Sequence, residues 1–314
     1  HCLSLMPQNG GRSGLSFASD TKNGLCGIKL KQCCAKAECY GIFLFGRSFS
    51  QKAVSFITES RPAADRAARL AAEAAGAVMD IRPRSTGGQF VVSALKERDV
   101  SAILSAMGHT GNEVHLRINY GNIENDCCRN AFLRGVFLSC GTVTAPSKDY
   151  HLEYVVPHMN LAKDLAAFIS GIYELALEPK VTKRKGAYVV YVKGGSRVAD
   201  MLAFVGAGKS AMEIIQAKMF KELRNDVNRK TNFETANLDK TVSASARQRK
   251  AIKKIMDSDG LDSLPEQLCR LASLRYDNPE LSLRELGEML DPPLSRSGVN
   301  HRLEKIVLIS EKLK

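Results

Sequence analysis

One segment of this chain occurs twice. Cys33–Arg47 (CCAKAECYGIFLFGR) and Cys127–Gly141 (CCRNAFLRGVFLSCG) align without a gap at an offset of 94 residues. Cys33/Cys127, Cys34/Cys128, Ala37/Ala131, Gly41/Gly135, Phe43/Phe137 and Leu44/Leu138 are identical, and Ile42/Val136 nearly so. Two copies are too few for a solenoid, whose units bury one another's faces over three or more repeats. They suit two copies of one unit about a pseudo-two-fold axis, with the apolar segments packed on each other. A glycine in the middle of each segment lets the backbones approach closely.

The sequence around each copy follows one order. The spacing predicts a short helix within 16–31, then a motif helix over about Gln32–Phe45, two short strands in Arg47–Thr58 and an Ala-rich helix, Arg61–Gly76, that Gly76 ends. Strands Ala77–Arg82 and Gln89–Leu95 flank a hairpin turn at Ser85–Gly88, and Glu97–Met107 is helical. The second copy predicts a motif helix Asp126–Ser139, strands Thr142–Thr144 and Tyr150–Val156 and a helix Leu161–Gly171. Strands Tyr173–Val181 and Ala187–Lys193 follow around the basic turn TKRKG, then a helix Ser196–Val205. Each unit is αββαββα, over about 32–108 and 126–206. Joined on their first helices, the units would form a saddle of two antiparallel sheets, within an α+β domain spanning 16–208.

Charge narrows the partner. The net charge is +12 with a pI near 9.3, which points to a polyanion, nucleic acid above all. No run of eighteen apolar residues exists, so no membrane span is expected. The nine cysteines include two adjacent pairs but no C-x-x-C and no zinc spacing. They are expected to be reduced core thiols of a cytoplasmic protein, with no metal and no cofactor. Residues 1–15 lack a starting methionine and are expected to be a tag or an upstream remnant.

The composition shifts after residue 208. Residues 209–254 hold 12 Lys and Arg against 5 Asp and Glu, and are helix-prone, with a core-like stripe at Ile214, Ile215, Met219 and Leu223. This basic connector, 209–257, contains NRKTNFETANLDK. Its amides and cations, Asn228, Arg229, Lys230, Asn232, Asn237 and Lys240, suit a secondary contact to DNA phosphates. A plain solvated helix face is the alternative.

Residues 258–314 open within a turn-rich linker, Asp257–Pro265, and predict three helices: Pro265–Tyr276, Leu283–Leu290 and about Arg296–Ile309. Ser282-Leu-Arg-Glu285 is a capping box and Ser295 a further N-cap. Two short helices joined tightly at Asp291–Pro293 and packed on a third make a helix-turn-helix. The last helix would read bases through Arg296, Ser297, Asn300, His301 and Arg302, because Arg pairs with guanine and Asn with adenine in the major groove. Arg284, Ser295 and Lys305 would meet phosphates or the groove edge. Residues 255–314 carry 8 Lys and Arg against 11 Asp and Glu, so the positive charge must be concentrated on that helix and upstream of it. A bundle used for protein contact is the competing reading.

Two weaker signals were weighed. GAGKS (Gly206–Ser210) resembles part of a phosphate loop, but the pattern needs a glycine where Ala203 stands. His151, Glu153 and His158 lie near one strand and are more simply surface residues than metal ligands.

Three stretches carry a family resemblance: AFLRGVFLSCG with YHLE nearby, NFETANLDKTVSASARQ, and LRELGEMLDPPLSRSGVNHRLEKI. Together they resemble the WhiA family of bacterial transcription regulators, from about Ser16 to the C-terminus. The resemblance implies a degenerate LAGLIDADG homing-endonuclease-like domain followed by an all-α helix-turn-helix domain similar to sigma-factor region four. It implies control of sporulation-linked or cell-division genes through promoter DNA. It also implies a WhiB-type iron–sulphur regulator or an RNA polymerase sigma factor as partner, and a cytoplasmic, nucleoid-associated place. In an active nuclease of this fold each motif helix ends in a metal-binding carboxylate. The matching positions here are Gly46 and Cys140, and Arg47 adds a positive charge. The expectation is a non-enzymatic regulator; one acting chiefly through protein partners, or a residual metal-dependent nuclease, are the alternatives.

Overall fold

Gly41 and Gly135 set how the two repeats meet. A methyl group on Gly41 would lie 3.0 Å from the Val136 nitrogen and one on Gly135 3.0 Å from the Ile42 nitrogen. Each would strike the facing helix's carbonyls harder still, at Phe132 and Glu38 respectively. Only a residue without Cβ allows this crossing. The structure, a computed structural model, describes residues 16–84 and 87–313; the expected remnant at 1–15 and the first half of the Ser85–Gly88 turn lie outside them.

The N-terminal unit contains α1 (Phe17–Leu25) and then two repeats. The first is α2 (Gln32–Leu44), β1 (Ser48–Ser50), β2 (Ala53–Thr58), α3 (Arg61–Ala75), β3 (Asp80–Pro83), β4 (Phe90–Ser93) and α4 (Glu97–Ala106). The second is α5 (Asp126–Cys140), β5 (Gly141–Val143), β6 (His151–Val156), α6 (Met159–Ser170), β7 (Lys180–Arg184), β8 (Ala187–Lys193) and α7 (Gly195–Phe204). Both are αββαββα, and their antiparallel sheets share one strand order, β1-β2-β4-β3 and β5-β6-β8-β7. The motif helices α2 and α5 pack on each other and are buried almost throughout, from Cys34 to Leu44 and from Cys128 to Leu138.

Local signals explain the boundaries. Ser60 caps α3 through its hydroxyl, Pro62 sits in the first turn, and Gly76 closes the helix at φ +64°. The β7–β8 hairpin differs from expectation. Arg184 pairs with Ala187, so the turn is only Lys185–Gly186, with φ of +49° and +83°. A two-residue turn with both φ positive matches strand twist, which draws Lys183 and Arg184 into the edge strand Lys180–Arg184 and not into the turn. All five are exposed.

The long helix α8 runs Gly208–Ser258. The chain divides into compact units between Lys221 and Glu222, inside the segment expected to be a separate connector. Of the expected core stripe, Ile214 is buried, but Met219 and Leu223 are 56% and 60% exposed. The core-forming side chains of the second half lie further on. Ile252 and Ile255 pack with Leu268, Leu271, Leu286, Val299, Leu303 and Ile306 in the C-terminal unit. That unit adds α9 (Glu266–Asp277), α10 (Leu283–Glu288) and α11 (Arg296–Lys312) to the end of α8.

Candidate nucleic-acid interface

The C-terminal unit builds its exposed helix from two caps and one glycine. At α10 the Ser282 hydroxyl accepts from the Glu285 N–H at 3.3 Å, and the Glu285 carboxylate accepts from the Ser282 N–H at 2.8 Å. These hydrogen bonds hold the Glu285 carboxyl below its ordinary value. At α11 the Ser295 hydroxyl accepts from the Gly298 N–H at 3.2 Å and meets the Ser297 hydroxyl at 3.1 Å. Gly287 lets the turn fold back, because a Cβ there would strike the Leu294 carbonyl, whose own N–H donates to Gly287 O at 3.0 Å. The sequence thus makes a helix-turn-helix with its second helix firmly started.

On α11, Val299, Leu303, Ile306 and Val307 face the core, while Arg296, Ser297, Asn300, His301 and Lys305 are exposed. Ser295 is exposed, but its hydroxyl is engaged as the cap. Arg296 lines a cleft of about 410 Å³ together with Arg284, Ser282, Leu283, and Lys240 and Thr241 of α8. This brings a residue from the connector, Lys240, beside two of the expected helix-turn-helix residues. Arg284 is also paired on the surface with Glu288 at 3.0 Å. Helical spacing spreads the six over about half of the circumference of α8, with Arg229 and Lys240 near its middle and Asn228 and Lys230 at its edges. All six are exposed.

Arg302 stands apart. It is half-buried and lines a different cleft with Glu266, Arg270, Asp291 and Pro292. The sequence reading missed Arg275, which lines the basic cleft although it is 1% exposed. It donates to Gln248 at 2.8 Å and to the Leu281 carbonyl at 2.6 Å. Burial lowers its affinity for the proton, against the opposing charge of Glu280. Within α9 it occupies a helix position that periodicity assigns to the core, which was the available signal.

In the N-terminal unit the outer face of the second sheet carries His151, Tyr191, Lys193 and Arg184, with Lys193 lying 5.2 Å from the Tyr191 ring centre. Glu153 offsets part of this charge, pairing with Arg184 at 2.7 Å and His151 at 3.5 Å. His158 is exposed at the N-cap position of α6, where its side chain makes no cap hydrogen bond. Gly206–Ser210 runs from the turn after α7 into the first turn of α8, with the Ser210 hydroxyl buried against Thr21 at 2.9 Å.

The axis ends of the motif helices carry Gly46 and Cys140 where a nuclease needs carboxylates. Lys22 of α1, unnoticed in the sequence, reaches this end, 5.8 Å from the Phe137 ring centre. Burial pulls its ammonium down, with Cys140 and Glu59 acting the other way. Burial likewise pushes the Cys140 thiol up to about 12. Among the described residues, no helix is long and apolar enough to cross a membrane.

Comparison with known proteins accounts for both units. Residues 129–224 match the WhiA LAGLIDADG-like domain and residues 227–310 the WhiA C-terminal HTH domain. The chain is 36% identical over 311 residues to a probable cell division protein WhiA of Ruminiclostridium cellulolyticum, covering 96% of this chain and 98% of that one. It is 43% identical over 230 residues to one of Clostridium botulinum, covering 72% of each. The crystal structure of full-length DUF199/WhiA from Thermatoga maritima superposes with a TM-score of 0.60 at 25% identity, over 96% of this chain and 99% of that one. With a degenerate LAGLIDADG-like domain followed by a helical helix-turn-helix domain, the chain belongs to the WhiA family.

Proposed function

We propose that this chain is a sequence-specific DNA-binding transcription regulator, acting on genes of sporulation or cell division, in which the LAGLIDADG-like unit is a scaffold and not a nuclease. The observation that carries the reading is the capped helix α11, which presents Ser297, Asn300 and His301 beside a cleft holding Arg296, Arg284 and Lys240. Arg296 and Asn300 suit base edges, and Arg284 and Lys240 suit phosphates. The names of the relatives, probable cell division proteins, support the cellular role. The same reading has the chain working at promoters, on the nucleoid. The acidic surplus of residues 255–314 supports a protein partner there, such as a WhiB-type iron–sulphur regulator or a sigma factor. The basic sheet face is a second surface for DNA or protein.

Binding to a promoter fragment recovered by genome-wide mapping tests this. Arg296→Ala is expected to weaken specific binding by about 1–3 kcal/mol and relax discrimination at one base. Lys240→Ala is expected to weaken all sequences alike and lower the salt slope by about 1. Point changes are preferable to deleting 258–314, because that deletion would strip the cover from Ile252 and Ile255. Unchanged binding by both variants would move recognition away from this cleft. For the lost chemistry, incubation of the purified chain with supercoiled plasmid and Mg²⁺ is expected to leave the plasmid intact. Cleavage that co-purifies with the chain and disappears with Lys22→Ala would restore an enzymatic reading.

A further inference from the structure

Neither cysteine pair alone offers a metal-binding pattern in the sequence. The pseudo-two-fold axis changes that. Cys33 and Cys34 lie in the first turn of α2, Cys127 and Cys128 in the first turn of α5, and all four Sγ atoms lie within 4.8 Å of one another. Cys33 Sγ is 3.9 Å from Cys127 Sγ and 4.0 Å from Cys34 Sγ. Cys34 and Cys128 are buried, 6% and 2% exposed, while Cys33 and Cys127 reach the surface. We propose that these four cysteines form a structural zinc site that staples the two repeats together.

Size and ligand chemistry choose the ion. Four thiolates about 2.3 Å from a zinc ion form a tetrahedron with edges of roughly 3.8 Å. The observed separations sit close to that edge and leave no room between the sulfurs for an iron–sulphur cube. Thiolate-only sets select zinc over hard cations such as Mg²⁺. The setting favours anionic sulfur. Two helix N-termini point their positive ends at the cluster, and Lys31 and Arg129 flank the pairs in sequence. Desolvation opposes ionisation at Cys33, yet hydrogen bonds from Cys127, Cys128 and Cys34 outweigh it and hold this thiol below its ordinary value. Burial and the same neighbours push Cys34 up to about 12. Zinc binds cysteine as thiolate, so uptake releases to solvent whatever protons the thiols carry. The site lies at the opposite ends of the motif helices from Gly46 and Cys140, so it is not a remnant of the nuclease centre.

The test uses the full chain, reduced and freed of metal, then titrated with Zn²⁺ alone and, in parallel, with Co²⁺. The expected result is one ion per chain, a visible Co²⁺ spectrum of tetrahedral tetrathiolate type, and a higher Tm with zinc. The paired variant Cys33→Ser, Cys127→Ser changes only surface thiols, leaving the buried pair packed. It is expected to lose stoichiometric uptake and the zinc-dependent rise in Tm while remaining folded by circular dichroism. Cys269→Ser, in the other unit, is expected to bind zinc normally. Failure of the reduced wild-type chain to take up either ion, or equal uptake by the paired variant, overturns the proposal. Should the paired variant fail to fold, Cys33→Ser alone gives the same reading through loss of the four-sulfur Co²⁺ spectrum. A spectrum unchanged in that single variant counts against the site.

Discussion

Replacing Glu38 by Ala is expected to destabilise the N-terminal unit by about 3–5 kcal/mol, the cost of leaving buried charge without its partner. Glu38 is wholly buried in α2 and serves two arginines that are themselves almost wholly buried. Arg66 of α3 grips it with Nε on Oε1 and with Nη2 on Oε2 at 3.0 Å, while Arg134 of α5 donates from Nε to Oε2 at 2.8 Å. The outer nitrogens are also used. Arg66 donates to the carbonyls of Cys26 and Ile28, and Arg134 to that of Val205, each at 2.9 Å. One carboxylate therefore ties α2, α3, α5, the end of α7 and the link after α1. Because two cations share one anion, the costs are unequal. Removing Glu38 strands both, whereas Arg134→Met leaves the bidentate Arg66–Glu38 pair neutral and intact. The order of destabilisation is expected to be Glu38→Ala, then Glu38→Gln, then Arg134→Met. Urea unfolding of the three variants checks it through midpoints at unchanged slope. A cost below about 1 kcal/mol for Glu38→Ala would show that water reaches the arginines.

That triad also shows where the sequence was legible and where it was not. The repeat predicted the pairing of α2 with α5, the αββαββα order and the two sheets, because those depend on features common to both copies. Glu38 and Arg134 sit at positions where the copies differ, opposite Phe132 and Tyr40 in the alignment. Comparing copies highlights shared residues, so it hid the pair that crosses the axis. The gathering of the four cysteines was hidden for the reverse reason. They are shared, but a cluster assembled from two first turns 94 residues apart has no spacing to read within either copy. At the helix-turn-helix the caps at Ser282 and Ser295 were legible from local chemistry. The grouping of Lys240 with Arg296 was not, because it depends on how the end of α8 packs into the C-terminal core. Arg302 and Arg296 look equivalent in sequence and separate only when the buried face of α11 is known.

Gly135→Ala is expected to be nearly as damaging, although it adds one methyl group to a residue in mid-helix. Alanine favours a helix over glycine by roughly 1 kcal/mol, so propensity alone would make the variant more stable. The crossing overrules propensity. The new carbon would strike the Glu38 carbonyl oxygen and carbon and lie 3.0 Å from the Ile42 nitrogen, all backbone atoms of a buried helix that cannot rotate away. Relief requires α2 and α5 to move apart. That would open contacts among Ile42, Phe43, Phe132 and Val136, each wholly buried, and would disturb Glu38 where both arginines hold it. Overpacking of a close-packed core costs about 1–3 kcal/mol where side chains can adjust. Here only backbones are in contact, so about 3 kcal/mol or more is expected. Thermal unfolding of Gly135→Ala beside Gly171→Ala supplies the comparison, since a methyl on Gly171 would meet nothing nearer than 3.4 Å. Gly171→Ala should be neutral or slightly stabilising. Equal melting temperatures for the two variants would mean that the motif helices have slack at the axis, and that the glycines persist there for a reason other than close approach.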